Sequence, residues 1–207
     1  MIFSNEELSH LKESVALRMK RERYEHTLGV ERLARYLGER IMPQKVSELS
    51  AAAILHDVAK EMPYDEQIQI IEDAGIAMTE EDRISKSILH SFAAVGVIKR
   101  DFAAFATNDV LSAVFSHTVG TPEMSVFDTI IFISDFAEDG RVYPSCKRIA
   151  ENIRSRFSVR HKKDEYIKLL NITMLEVLES TVETLTRLKI NINSRTLLTI
   201  NSFKAKI

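Results

Sequence analysis

Six side chains stand out for the chemistry they could do together: His26, His56, Asp57, His90, His117 and Asp135. Imidazole and carboxylate are ligands for hard or borderline metal ions. Their sequence neighbours at helical spacing are apolar. His26 shares a stripe with Val30, Leu33 and Leu37, and His56 follows Leu49, Ala52 and Ala53. His90 precedes Ala93, Ala94 and Val97, His117 follows Val110, Ala113 and Val114, and Asp135 follows Ile131 and Phe132. One buried histidine with a hydrogen-bond partner is ordinary. An ionised carboxylate in a core is costly unless it is paired or metal-bound. Four histidines and two aspartates on core-facing stripes therefore point to metal ions. The remaining histidines contrast with them. His10 is surrounded at helical spacing by Glu6, Glu7, Glu13 and Ser14, and His161 lies in the charged run from Val159 to Asp164, read as an exposed loop.

The doublet His56-Asp57 is the most specific element. Successive helical residues point about 100° apart, so the pair cannot act as equivalent ligands of one small ion. A carboxylate can bridge two ions through its two oxygens, and an imidazole binds one. The economical arrangement has Asp57 bridging, one ion with His26, His56 and Asp135, and the other with His90 and His117. The second ion is poor in protein ligands and open to water and phosphate oxygens, the pattern of a hydrolytic two-metal site. Asp57 is then catalytic as well as a ligand. Lys60, one turn further on, is positioned to reach a phosphate at the metals and is both a catalytic and a substrate-binding candidate. Arg23 lies one turn before His26 and could do the same. Arg141 could grip another phosphate or pair with Glu138. Thr118 and Gly120 follow His117, where a turn could offer a hydroxyl and N–H groups to an anion.

These residues need elements to hold them. Ser4 and Glu7 form a capping-box pattern opening a helix over about 5–19. Helices follow over about 21–41, 43–60 with Pro43 in its first turn, 65–74 stopped by Gly75, 82–100, 108–117 and 125–137. The last contains Thr129-Ile130-Ile131, which would also suit a strand; Asp128 and Asp135 seven residues apart favour a helix. Two more helices cover about 144–157 and 164–188, and a short one about 195–201. Each candidate ligand thus falls on its own helix or return turn, as in metal-binding bundles. The expected fold is all-α: one domain over 1–207, with a helical bundle core over about 20–140 and a C-terminal helical extension over about 141–207 packed on it.

Composition agrees. Of 207 residues, 45% are hydrophobic and 28% charged, which excludes a disordered chain, and 6 Gly with 4 Pro are few for a turn-rich β fold. The single cysteine, Cys146, can form no internal disulfide. A net charge of −2 gives no footprint for nucleic acid. No signal-peptide pattern or membrane-length apolar stretch is present, so the expected location is the cytoplasm, with no membrane partner. A homo-oligomer is compatible with the sequence.

The order His26, His56-Asp57, Asp135 resembles the signature of the HD superfamily of metal-dependent phosphohydrolases, and His90 with His117 resembles its two-metal branch. Longer stretches are similar to the YqeK family of symmetrical bis(5′-nucleosyl)-tetraphosphatases: Arg23 to Val30, Leu55 to Lys60, Leu89-His90-Ser91, His117-Thr118-Val119-Gly120, Asp135-Phe136-Ala137-Glu138, and Thr196-Leu197-Leu198 with Asn201. The resemblance implies an all-helical HD-type bundle and two metal ions, iron in that family, held by His26, His56, Asp57, His90, His117 and Asp135. It implies a nucleotide substrate, diadenosine tetraphosphate, cleaved symmetrically to two ADP by a metal-activated hydroxide. An HD-type nucleotidase or phosphodiesterase is the alternative within the superfamily, and a non-catalytic nucleotide-binding module the alternative outside enzymes. Asp139 stands where the family usually has proline.

Overall fold

The computed structural model describes residues 2–207, and its described residues form helices and connecting turns with no strand. Eleven α-helices run in chain order: α1 (Asn5–Ala16), α2 (Arg21–Ile41), α3 (Val46–Leu55), α4 (Tyr64–Asp73), α5 (Glu80–Ile84), α6 (Leu89–Asp101), α7 (Asn108–Ser116), α8 (Val126–Ala137), α9 (Pro144–Ser158), α10 (Lys163–Arg187) and α11 (Ser194–Lys204). The segment with the β-branched run is helical, as expected. Ser125 and Asp128 close a capping box at its start, so Asp128 serves the helix end rather than the functional cluster.

Helices α2, α3, α6, α7 and α8 pack on one another as the central bundle. Their shared interior is made of Val30, Ala34, Leu49, Ala53, Leu89, Ala93, Val110, Val114, Ile130 and Ile131, all fully buried. Small residues at 51–53 and 93–94 allow the helices to approach closely. The C-terminal helices pack onto this bundle: α10 lies against α8, α9 and α11 and also touches α2.

Three of the boundaries that differ from the sequence expectation lie nearest the site. The helix expected over 43–60 is a 3-10 turn at Pro43–Lys45 followed by α3, which ends at Leu55. His56 and Asp57 therefore sit just past the helix, on tightened turns closed by Val58 N–H to Leu55 and Lys60 N–H to Asp57. The helix expected over 82–100 is two helices. Thr79 and Asp82 cap α5, and the Ser85 hydroxyl donates to the Glu81 carbonyl, drawing the backbone out of helical continuity. His90 then falls in the first turn of α6. The first helix stops at Ala16, before the turn into α2, where the Lys20 N–H donates to Glu61.

Candidate metal centre

All six sequence-selected side chains meet at one place in the bundle. His26 comes from the second turn of α2, His56 and Asp57 from the turn after α3, and His90 from the first turn of α6. His117 caps the C-terminus of α7, and Asp135 lies near the end of α8. His56, Asp57, His90 and His117 are buried, and His26 and Asp135 are mostly so.

Asp57 is the hub. Its Oδ2 lies 3.4 Å from His56 Nε2 and 3.8 Å from His26 Nε2. Its Oδ1 lies 3.2 Å from His90 Nε2 and 3.6 Å from His117 Nε2. The two carboxylate oxygens thus face two different histidine pairs. Asp135 Oδ1 closes the first set, 3.0 Å from His26 Nε2 and 3.7 Å from His56 Nε2.

The tautomers are set by the backbone. His56 Nδ1 lies 2.7 Å from the Ala53 carbonyl, and His117 Nδ1 lies 2.7 Å from the Val114 carbonyl. A carbonyl only accepts, so both Nδ1 atoms donate and both Nε2 atoms turn a lone pair toward the cluster. The Nε2 atoms of His26 and His56 are buried and make no properly angled hydrogen bond. His90 Nε2 and His117 Nε2 stand 3.2 Å apart. Burial, reinforced by Lys60 and His117, brings His90 down to about 4 despite Asp57, so its ring is neutral near pH 7. Converging lone pairs and carboxylate oxygens in a dry interior suit cations. By their chemistry, these nitrogen and oxygen donors fit metal ions.

Three cationic side chains surround the cluster. Arg23 Nη1 donates to Asp57 Oδ2 at 2.7 Å, and Arg141 Nη2 donates to Asp135 Oδ1 at 2.6 Å and to its carbonyl at 2.7 Å. Between the pairings open to Arg141, Asp135 prevails over Glu138, which is 3.9 Å away. Lys60 Nζ lies 3.0 Å from His90 Nε2, and burial lowers its pKa against the pull of Asp57 and Asp135. Thr118 lines the larger cleft described below, and its hydroxyl is 3.1 Å from that of Ser91. Gly120 does not offer its N–H to an anion. That group donates to the Ser116 carbonyl, and the residue is buried. Its φ of +74° serves a tight turn on which Thr199 of α11 packs so closely that a Cβ would come within 2.8 Å. His10 is exposed, as expected. His161 is half-buried rather than free in a loop: its Nε2 lies 2.9 Å from the Arg156 carbonyl, and its ring stands edge-on to Tyr166. Neither residue reaches the cluster.

Glu138 belongs to the site as well, in a role the sequence did not suggest. Its Oε1 lies 3.2 Å from His26 Nδ1, and its Oε2 accepts from the Gly140 N–H at 2.5 Å. Burial opposes its ionisation, yet His26 and the Gly140 N–H prevail and lower its pKa. Gly29, one turn beyond His26, makes room: a Cβ there would overlap the Glu138 carboxylate. Burial also opposes charge on His26, but Asp135 and Glu138 overcome it and raise its pKa.

Two clefts open beside the cluster. The larger, about 1090 Å³, reaches His117 and Asp135 and extends between the 84–88 turn, the start of α9 and the end of α10. The smaller, about 380 Å³, reaches His26 and is bordered by Lys20, Arg23 and Glu61.

Comparison with known proteins places this geometry in context. Residues 23–151 match the family model described as HD domain. A symmetrical bis(5′-nucleosyl)-tetraphosphatase of Bacillus subtilis is 29% identical over 75% of this chain and 84% of its own length. The protein of the same description from Staphylococcus aureus is 26% identical over 90% of this chain and 89% of its own length. A crystal structure from Clostridium acetobutylicum, described as a predicted HD superfamily hydrolase involved in NAD metabolism, superposes with a TM-score of 0.82. It covers 96% of this chain and 97% of its own at 23% identity, a likeness of fold.

Proposed function

The chain belongs to the HD domain family, and from that premise we propose that it hydrolyses dinucleoside tetraphosphates symmetrically, diadenosine tetraphosphate giving two ADP. The carrying observation is the division of Asp57, with one oxygen toward His26 and His56 and the other toward His90 and His117. That division supports a pair of metal ions: Asp57 with His26, His56 and Asp135 would hold one, and Asp57 with His90 and His117 the other. The names of the Bacillus and Staphylococcus relatives support the substrate. Iron is the metal we assign, by resemblance to the YqeK family.

When bound, two such cations polarise water toward hydroxide and neutralise phosphate charge. The chain's own residues do the rest. Asp57 fixes the spacing of the two halves of the centre. The backbone-bonded rings of His56 and His117 hold their lone pairs inward without reorganisation. Lys60, with its ammonium in a dry position beside His90, supplies a charge-assisted contact to a phosphate oxygen. Arg23 and Arg141 lie at the boundary between cluster and clefts, where their guanidinium groups counter the remaining phosphate charge. Thr118 offers its hydroxyl from the wall of the larger cleft. In the reaction, the oxygen of water joins one of the two central phosphorus atoms, and the oxygen bridging them leaves with the other diphosphate. Both protons of the water are released near neutral pH.

No described helix is long and apolar enough to cross a membrane; we assign the protein to the cytoplasm. The experiment that tests the activity incubates iron-loaded protein with a panel of nucleotides and separates the products by chromatography. ADP as the sole product from diadenosine tetraphosphate is the expected result. AMP with ATP would overturn symmetrical cleavage, and turnover confined to mononucleotides would favour the nucleotidase alternative.

A further inference from the structure

The two halves of the metal-ligand cluster are supported differently. The half made of Asp57 Oδ1, His90 and His117 has no second carboxylate, so its hold on an ion depends more on where its two rings sit. His90 is the less secured of the two. Among the described residues, neither of its ring nitrogens meets a backbone carbonyl, and Lys60 Nζ lies 3.2 Å from Nδ1 and 3.0 Å from Nε2. His117 bonds to the Val114 carbonyl of its own helix, but it caps α7, and the chain turns away directly after it. Both rings therefore depend on what packs behind their backbones.

Helix α11 lies there. Thr196 Oγ1 donates to the Val119 carbonyl at 3.2 Å, and Ser202 Oγ to the Pro122 carbonyl at 2.6 Å. Between them Thr199 packs on Gly120, whose N–H closes the turn back to Ser116. Thr196 and Thr199 are buried. The start of α11 holds the approach to the other histidine. Arg195 Nη2 donates to Asp82 Oδ2 at 3.0 Å and the Ser194 N–H to Glu81 Oε1 at 3.0 Å, which fixes α5 and so the 84–88 turn leading to His90. The Arg195 guanidinium also lies over the rings of Phe92 and Phe115, 6.0 and 5.7 Å from their centroids. Those rings are 4.8 Å apart and join α6 to α7 close to His90 and His117. Among the described residues, every side-chain hydrogen bond from Asn193 and α11 to another element ends on residues 81, 82, 119 or 122. None ends on the elements that carry His26, His56 or Asp135.

We propose that α11 is the positioning element of the His90–His117 half of the centre. Thr196, Thr199 and Ser202 fix the turn that follows His117, and Arg195 with Asp82 fixes the segment that precedes His90. The C-terminal helix thereby sets the affinity for the second ion and leaves the first unaffected. These residues act through the two imidazoles and are positioning residues. Removing a hydroxyl from α11 leaves a carbonyl of the turn unpaired, so the turn shifts toward another donor and carries His117 with it. The inference rests on the two-ion reading of the centre.

The test uses full-length protein, stripped with a chelator and titrated anaerobically with iron(II) in a calorimeter. Wild type should take up two ions. In Thr196→Val/Ser202→Ala the second ion should bind about tenfold to a hundredfold more weakly, the usual effect of losing groups that orient ligands. The first should stay within about twofold, as for a distant site. Thr196→Ser keeps the hydroxyl and should bind both ions as wild type does. Arg156→Gln breaks the Arg156–Glu176 pair between α9 and α10; it loosens the fold elsewhere and should leave both affinities unchanged. Should the double variant fail to fold, Ser202→Ala alone, at a partly exposed position, should weaken the second ion about threefold, the scale of one neutral hydrogen bond. The metal-free proteins give an independent readout. The imidazole NMR signals of His90 and His117 should move in the double variant, and those of His26 and His56 should not. Unmoved His90 and His117 signals, equal weakening of both ions, or wild-type affinities in the double variant would overturn the inference. A wild type that takes up only one ion would overturn the two-ion reading, while the NMR signals would still decide the positioning role.

Discussion

Asp57 concentrates the chemistry because its two oxygens serve two sets of partners. Asp57→Ala removes the anion between four imidazoles, so hydrolysis should fall to background while circular dichroism keeps its helical signal. Elemental analysis should show fewer than two metals per chain. Wild-type turnover by the folded variant would remove Asp57 from the mechanism. Glu138 acts through His26, to which it presents Oε1 at 3.2 Å. Outer-sphere partners of this kind typically contribute tenfold to a hundredfold in metal affinity. Glu138→Ala should weaken metal binding by about that factor in a competition titration with a coloured chelator. Glu138→Gln can orient the ring without the charge and should recover part of the loss; metal affinity equal to wild type in Glu138→Ala would make Glu138 structural only. At this scale the sequence is readable for the six clustered residues, because polar groups on apolar stripes are expensive unless they have work to do. It is not readable for Glu138, since a carboxylate at a helix end has the same pattern whether it faces water or a histidine.

Among the elements, the turn after α3 and the pairing of α5 with α11 illustrate what helical periodicity conveys and what it omits. Periodicity identifies the helices of the bundle but runs past their ends. It carries α3 on to residue 60 and merges α5 with α6, because stripe patterns do not register a tightened turn or a serine hydroxyl competing for a carbonyl. Asp82 shows a second omission. Its carboxylate completes the α5 capping box and also reaches across to α11, accepting from Arg195 Nη2 at 3.0 Å and Asn193 Nδ2 at 3.1 Å. Burial resists its ionisation, but Arg195, Thr79 and Asn193 prevail, so its pKa is lowered. A lowered carboxyl pKa stabilises the fold above the unfolded-state value of about 3.9, and that contribution is lost as pH falls through the folded-state value. Asp82→Asn should therefore cost about 1–3 kcal/mol at pH 7, and the deficit should narrow below about pH 4. Urea denaturation of both proteins at pH 7 and pH 3 measures this. An equal deficit at both values would place the effect in packing rather than charge.

For the whole molecule, the all-helical architecture follows from composition and stripe spacing, whereas the larger cleft does not. Its walls come from the 84–88 turn, the start of α9 and the end of α10, and nothing in a one-dimensional pattern brings those segments together. The hydrophobic pattern of α10 is fully accounted for by packing on the bundle, so its exposed last turn carries no mark of the cleft. The metal centre ties five helices to one point, and ion binding is thereby linked to global stability. Cations at a hundred times their dissociation constant contribute about 2.7 kcal/mol, which for a chain of this size is about 5–10 °C in Tm. Calorimetric melting before and after chelation should show a drop of that order, reversed by adding the metal back. An unchanged Tm would mean that the helices hold the cluster without the ions. The wide spacing of the ligands also has a consequence for how the protein is made. His26 emerges from the ribosome early, but its partner Asp135 lies on the eighth helix, so the ligand set of His26, His56, Asp57 and Asp135 stays incomplete until most of the bundle has been translated and docked. Metal delivery to that half of the centre must wait for the finished fold, and a nascent chain halted before α8 would lack a ligand that no excess of metal replaces.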